Sequence, residues 1–148
     1  MALVYFDSSA LVKLLVEETG TALATNLWDG CDAALTSRLA YPEVRAALAA
    51  AGRDHDLDAG ALHEAQQAWE QYWRAIRPVE LTAAIATHAG ALANTHALRG
   101  ADAVHLASAL AVGDLQLIVA VWDRSLHAGV QASRLRVAPA ALDPYPDS

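Results

Sequence analysis

The stretch Leu3-Val4-Tyr5-Phe6-Asp7-Ser8-Ser9-Ala10-Leu11-Val12-Lys13-Leu14 decides the fold. Its opening residues, Leu3 to Phe6, are all apolar and read as a short strand buried on both faces. Asp7 ends that strand, and Ser8 to Glu17 reads as a helix, so strand passes into helix through a carboxylate. The same succession recurs along the chain. A helix is expected from about Thr21 to Trp28, a strand over Ala33 to Thr36, and a helix from about Arg38 to Ala51 stopped by Gly52. Asp54 to Asp58 is a polar turn. From Asp58 to Ile76 the residues Leu62, Ala65, Trp69, Tyr72, Trp73 and Ile76 share one helical face. Pro78 to Leu81 reads as a weak strand, Thr82 as the cap of a helix reaching His96, and a further helix runs from near Asp102 to Gly113. Leu115 to Trp122 reads as the strongest strand; a short helix follows Asp123, and Leu135 to Val137 is a last strand.

Alternating strands and helices imply an α/β fold: a central, mostly parallel sheet of about five short strands, flanked by helices in three layers. The 148 residues fit one domain, 1–148, with a Pro-rich tail from about residue 139. In such sheets, sites form at the carboxyl ends of the strands.

Composition narrows the function. The chain is 55% hydrophobic and 18% charged, a globular balance in which alanine is abundant. Its most apolar run, Leu117 to Trp122, is far short of the ~20 residues of a membrane span. Cys31 is the sole cysteine, which excludes an internal disulfide and a cysteine zinc cluster. No basic leader precedes Asp7, so a cytoplasmic protein without membrane contact is expected. The net charge of -7 argues against a broad basic face for nucleic acid. It leaves open a nuclease whose carboxylates gather on a metal, because bound cations invert the local sign.

Asp7, Asp102 and Asp123 each stand where a helix begins, so each reads equally as an N-cap. The topology brings Asp7 and Asp123 to the same sheet edge, which a capping role does not require. Glu43 lies at the border of the apolar stripe set by Ala40, Val44, Ala47, Leu48 and Ala51, where a surface role and a site role both stand. His105 is three residues after Asp102 and His127 four after Asp123. Without a second histidine nearby, His105 reads as a packed or hydrogen-bonded neighbour of a site.

These residues carry a resemblance. The segment Phe6 to Leu14 is similar to the opening motif of PIN-domain ribonucleases, especially VapC-type toxins of type II toxin–antitoxin systems. Ala101-Asp102-Ala103-Val104-His105-Leu106-Ala107-Ser108-Ala109-Leu110 resembles their third-carboxylate motif and is the most specific match. Ser37 to Leu48 resembles the segment with the second acid, Glu43, and Val121 to Leu126 the segment with the fourth, Asp123. Order and spacing agree from Leu3 to Val137. One departure is Val121, where many members carry a hydroxyl residue; hydroxyl help then falls to Ser8, Ser9 or Ser125.

The resemblance implies a PIN-like fold and an endoribonuclease that uses Mg²⁺, with Mn²⁺ as a substitute, to cleave RNA by metal-activated water. It implies Asp7, Glu43, Asp102 and Asp123 as metal ligands and catalytic acids. It further implies a cognate antitoxin and a homodimer. The chemistry is coherent: clustered carboxylates raise one another's pKa, and a hard divalent cation relieves them. Lys13, Arg38 and Arg124 are phosphate-contact candidates that read equally as solvated helix residues; Ser9 and His105 are candidate supporting groups. Trp69, Tyr72 and Trp73 read either as core or as a partner groove. Two rivals remain at this stage. A haloacid-dehalogenase-like phosphatase would use Asp7 as nucleophile but wants a second Asp where Ser9 stands. A non-catalytic interaction module would keep the fold without activity.

Overall fold

In the computed structural model, residues 1–143 are described; the expected Pro-rich tail from about residue 139 lies partly outside them. The described residues form twelve elements, with one or two helices between successive strands: β1 (Leu3–Phe6), α1 (Ser8–Lys13), α2 (Thr21–Gly30), β2 (Ala33–Ser37), α3 (Ala40–Arg53) and α4 (Ala59–Ala75), then β3 (Arg77–Val79), α5 (Ala83–His96), α6 (Gly100–Val112), β4 (Ile118–Ala120), α7 (Arg124–Ala132) and β5 (Arg136–Ala138). The five strands form one sheet in the order β3-β2-β1-β4-β5. Every pairing is parallel, with Leu3 opposite Ala33 and Phe6 opposite Ala120.

Side chains alternate across this sheet, and the two faces bury different helices. Val4, Phe6 and Ala120 pack with Leu11, Val44, Leu48 and Trp69 from α1, α3 and α4. Tyr5, Val119 and Val121 pack with Leu92, Leu106, Leu126 and Val130 from α5, α6 and α7. The three-layer expectation is met, and β1 is buried on both sides as a central strand must be.

Several boundaries differ from the sequence reading, each for a local reason. α1 stops at Lys13 rather than Glu17 because the Thr21 hydroxyl donates to the carbonyls of Lys13 and Val16, replacing helical partners. α3 runs one residue past Gly52; a Cβ there would stand 2.7 Å from Leu62 Cδ2, so glycine allows α4 to approach. β4 keeps only Ile118–Ala120 of the expected Leu115–Trp122 strand. Asp114 folds the preceding residues into a turn, accepting from the Gln116 N–H at 2.8 Å, and Leu115 is 86% exposed. α6 begins at Gly100, before Asp102, with Arg99 as its N-cap.

Candidate active site

The chain order reverses beside β1, which has β2 on one side and β4 on the other. In sheets of this kind that reversal marks the carboxyl ends of β1 and β4 as the place for a site. Asp7 stands directly after β1, and its carboxylate is almost fully buried, 4% exposed. It caps α1, with Oδ1 accepting from the Ala10 N–H at 2.8 Å. The Ser9 hydroxyl reaches both carboxylate oxygens, at 2.8 and 2.9 Å. The capping role therefore holds for Asp7, alongside a position at the sheet edge.

Glu43 comes from the first turn of α3 and meets α1 and α6 at once. Its Oε1 accepts from the Ser8 hydroxyl at 2.7 Å and lies 2.8 Å from His105 Nε2. Ser8 Oγ is 3.1 Å from the same nitrogen. On the far side of the buried ring, Nδ1 is 2.7 Å from the hydroxyl of Tyr5. His105 is thus buried and hydrogen-bonded to Glu43, Ser8 and Tyr5.

Asp102 does not cap its helix; it lies in the first turn of α6, and no side chain performs the capping. Its Oδ2 accepts from Arg99 Nε at 3.2 Å. The other end of that guanidinium is 3.7 Å from Asp123 Oδ1. Asp123 caps α7 with its second oxygen, accepting from the Leu126 N–H at 2.9 Å. One basic side chain therefore bridges the third and fourth acids.

Electrostatics couple Asp7 to Asp102 and Asp102 to Asp123. Burial, with a contribution from the charge of Asp102, pushes Asp7 up to about 6, against the opposing pull of His105, the Ala10 N–H and Ser9. Burial and the neighbouring Asp123 raise Asp102, while Arg99 lowers it. Glu43 goes the other way: burial raises it, but the hydrogen bonds from His105 and Ser8 outweigh burial and hold it below the usual carboxylate range. Among the described residues, no three His, Cys, Asp or Glu side chains form a ready-made metal cage. Glu43 is drawn toward His105 and Ser8, and Asp102 and Asp123 face Arg99.

The remaining predicted residues fall elsewhere. Lys13 is buried, donating to Glu18 at 3.1 Å and to the Thr19 carbonyl at 2.7 Å, with Trp122 5.1 Å away. Arg38 is exposed, pairs with Glu80, and lies 5.6 Å from the Trp73 ring. Arg124 donates to the Asp143 carbonyl. Val121 is packed in the core, so the nearby hydroxyls belong to Ser8 and Ser9; Ser125 is exposed. The aromatic face divides: Trp69 is fully buried, whereas Trp73 lines a surface groove with Leu39, Tyr41 and Leu81. Sequence reasoning missed Arg99 and Tyr5. The three-residue spacing from Arg99 to Asp102 was the available signal for the first; Tyr5 is indistinguishable in sequence from any core strand residue.

Comparison with known proteins agrees with this architecture. The PIN domain matches residues 4–119. The chain is 70% identical over 144 residues to Ribonuclease VapC45 of Mycobacterium tuberculosis (strain CDC 1551 / Oshkosh), covering 97% of this chain and 100% of the relative. It has the same identity and coverage with Ribonuclease VapC49 of M. tuberculosis (strain ATCC 25618 / H37Rv). Among solved structures, a toxin–antitoxin complex from Klebsiella pneumoniae superposes with TM-score 0.63 at 20% identity, covering 97% of this chain and 100% of that one. FitAcB from Neisseria gonorrhoeae gives TM-score 0.62 at 19% identity, covering 90% and 95%. These two likenesses are of fold. The sequence relatives set aside the dehalogenase-like reading, and with the PIN domain matched over most of the chain and two relatives 70% identical, the chain belongs to the PIN-domain family, among the VapC ribonucleases.

Proposed function

We propose that the chain is the toxin of a VapBC-like toxin–antitoxin pair, an endoribonuclease that cleaves RNA phosphodiesters with Mg²⁺ held by Asp7, Glu43, Asp102 and Asp123. The family makes it an RNA-cleaving hydrolase, and PIN-domain ribonucleases depend on a divalent metal. The observations that support the site are the Arg99 bridge between Asp102 and Asp123 and the contact that ties Glu43 to His105 on the same helix as Asp102.

The donor set fits a hard divalent ion. Among the described residues, Asp7 is buried and accepts from Ser9 and the Ala10 N–H, and burial outweighs those donors and the charge of His105 to raise its pKa. A divalent cation bound there supplies neutralisation of the pocket and of the phosphate, and an acidified water. Everything else is the work of this chain. Ser9 and the Ala10 N–H fix the direction of Asp7, Ser8 and His105 fix Glu43, and the Leu126 N–H fixes Asp123. Arg99, 82% exposed at its side chain, is the cation best placed to meet a phosphate at the pocket. Cleavage would leave a 5′-phosphate and a 3′-hydroxyl.

The antitoxin is proposed to dock on the α4 side, where Trp73 and Tyr41 line the groove, and a homodimer and cytoplasmic location belong to the same reading. No described helix is long and apolar enough to cross a membrane. The test is RNA cleavage by the purified chain in Mg²⁺, silenced by EDTA and restored by Mg²⁺ or Mn²⁺. Cleavage that persists in excess chelator, in a preparation free of other nucleases, would overturn the metal site. Failure of the chain to bind Mn²⁺ at all would favour the non-catalytic module.

A further inference from the structure

The geometry points to Tyr5 and His105 as positioning residues that set the orientation of Glu43 through a single imidazole tautomer. The inference rests on the carboxylate-site reading above and deepens it. A carboxylate only accepts, so the 2.8 Å contact between Glu43 Oε1 and His105 Nε2 places the ring proton on Nε2. A neutral ring with its proton there is bare at Nδ1, and the Tyr5 hydroxyl at 2.7 Å is the group that donates to it. Tyr5 is 0% exposed and His105 2%, so water has little access to compete for either nitrogen. The Ser8 hydroxyl donates to the same Oε1 at 2.7 Å. Two donors converge on one oxygen, pinning Oε1 and leaving Oε2 for a ligand.

The chain of contacts crosses the molecule in the right order. Tyr5 is locked in β1, His105 in the middle of α6, and Glu43 at the start of α3; the ring therefore aligns an acid from one helix with a strand and another helix. Tyr5 and His105 also meet edge to face, with ring centroids 5.8 Å apart and an interplanar angle of 79°, which holds the imidazole plane. Neither residue needs to touch substrate for this.

Two measurements on the full chain test it. Proton–nitrogen correlation NMR of the histidine rings, with His105 assigned by its loss in His105→Gln, should report the Nε2–H tautomer in the metal-free protein. In Tyr5→Phe, which removes only the hydroxyl, that preference should weaken. Calorimetric titration with Mn²⁺ should show His105→Leu binding about 10- to 100-fold more weakly than the parent, the usual effect of losing a group that orients a metal ligand. His105→Gln keeps an N–H donor and should recover most of that loss, with Tyr5→Phe between. An Nδ1–H tautomer, or Leu and Gln variants that fold and bind Mn²⁺ like the parent, would overturn the inference and leave His105 a packing residue. Glu43→Gln is the control: if it also binds Mn²⁺ like the parent, the carboxylate-site reading fails, and this inference fails with it.

Discussion

Asp7 shows how one side chain serves two demands that conflict in the metal-free protein. As an N-cap it needs only an acceptor oxygen; as a buried anion it costs stability wherever it is ionised. Its folded pKa of about 6 lies above the unfolded carboxylate value, so protonation favours the folded state. That favourable contribution is complete below about pH 4 and is lost as pH rises through 6. Asp7→Asn keeps an acceptor for the Ala10 N–H and removes the charge. Metal-free Asp7→Asn should therefore be more stable than the parent at pH 7.5, by on the order of 2–3 kcal/mol at most, and the difference should shrink toward pH 4. Denaturant unfolding at several pH values reads this; a variant less stable than the parent at pH 7.5 would show that the charge is compensated. Asp102 makes a cleaner test of catalysis, because it caps nothing. Asp102→Asn should leave the metal-free fold intact or slightly stabilised and nearly abolish RNA cleavage. Cleavage at the parent rate in limiting Mg²⁺ would remove Asp102 from the ligand set.

At the level of elements, α4 carries a prediction that its sequence left open. Trp69 is fully buried between the sheet and Tyr41, with ring centroids 6.1 Å apart, while Trp73 on the same face is half-buried beside the groove. Trp69→Ala should cost about 3–5 kcal/mol of stability, as large-to-small changes in a core do. Trp73→Ala should cost much less and should weaken co-purification with the antitoxin. Equal losses of stability would mean that the helix face is all core. Helical periodicity identified this face correctly but could not rank its members, because burial depends on what packs opposite: β1, α3 and Tyr41 for Trp69. The same limit explains the other differences. Apolar patterning made Leu115–Trp122 a long strand, yet strand length is set by its neighbours, and of that stretch Ile118–Ala120 is what Val4–Phe6 and Arg136–Ala138 pair with. The acids at strand ends were legible because they sit next to strongly patterned segments. Arg99 and Tyr5 were not, since the Arg99–Asp123 contact exists only once α6 lies beside the start of α7, and the Tyr5–His105 contact only once α6 covers β1.

Over the whole molecule, a net charge of -7 sets a problem for a ribonuclease: its substrate carries the same sign. On the proposed reading, Asp7, Glu43, Asp102 and Asp123 are both the worst obstacle to a phosphate and the part that a divalent ion would neutralise. Binding of that ion should consequently be linked to pH through the same carboxylates. Protons compete with the metal at Asp7, pushed up to about 6, and at Asp102, raised by burial and Asp123, so affinity should fall as pH drops below 6. Ligand that binds only the folded state stabilises it by about 2.7 kcal/mol at 100 times its dissociation constant. For a chain of this size that corresponds to a rise in Tm of about 5–10 °C. Thermal unfolding with Mg²⁺ against EDTA should show this rise at pH 7.5 and a much smaller one at pH 5. Asp102→Asn should reduce the rise at pH 7.5 without lowering Tm in EDTA, because the variant loses a ligand while relieving repulsion with Asp123. A Mg²⁺-dependent shift equal at both pH values, or unchanged in Asp102→Asn, would place the ion away from these acids.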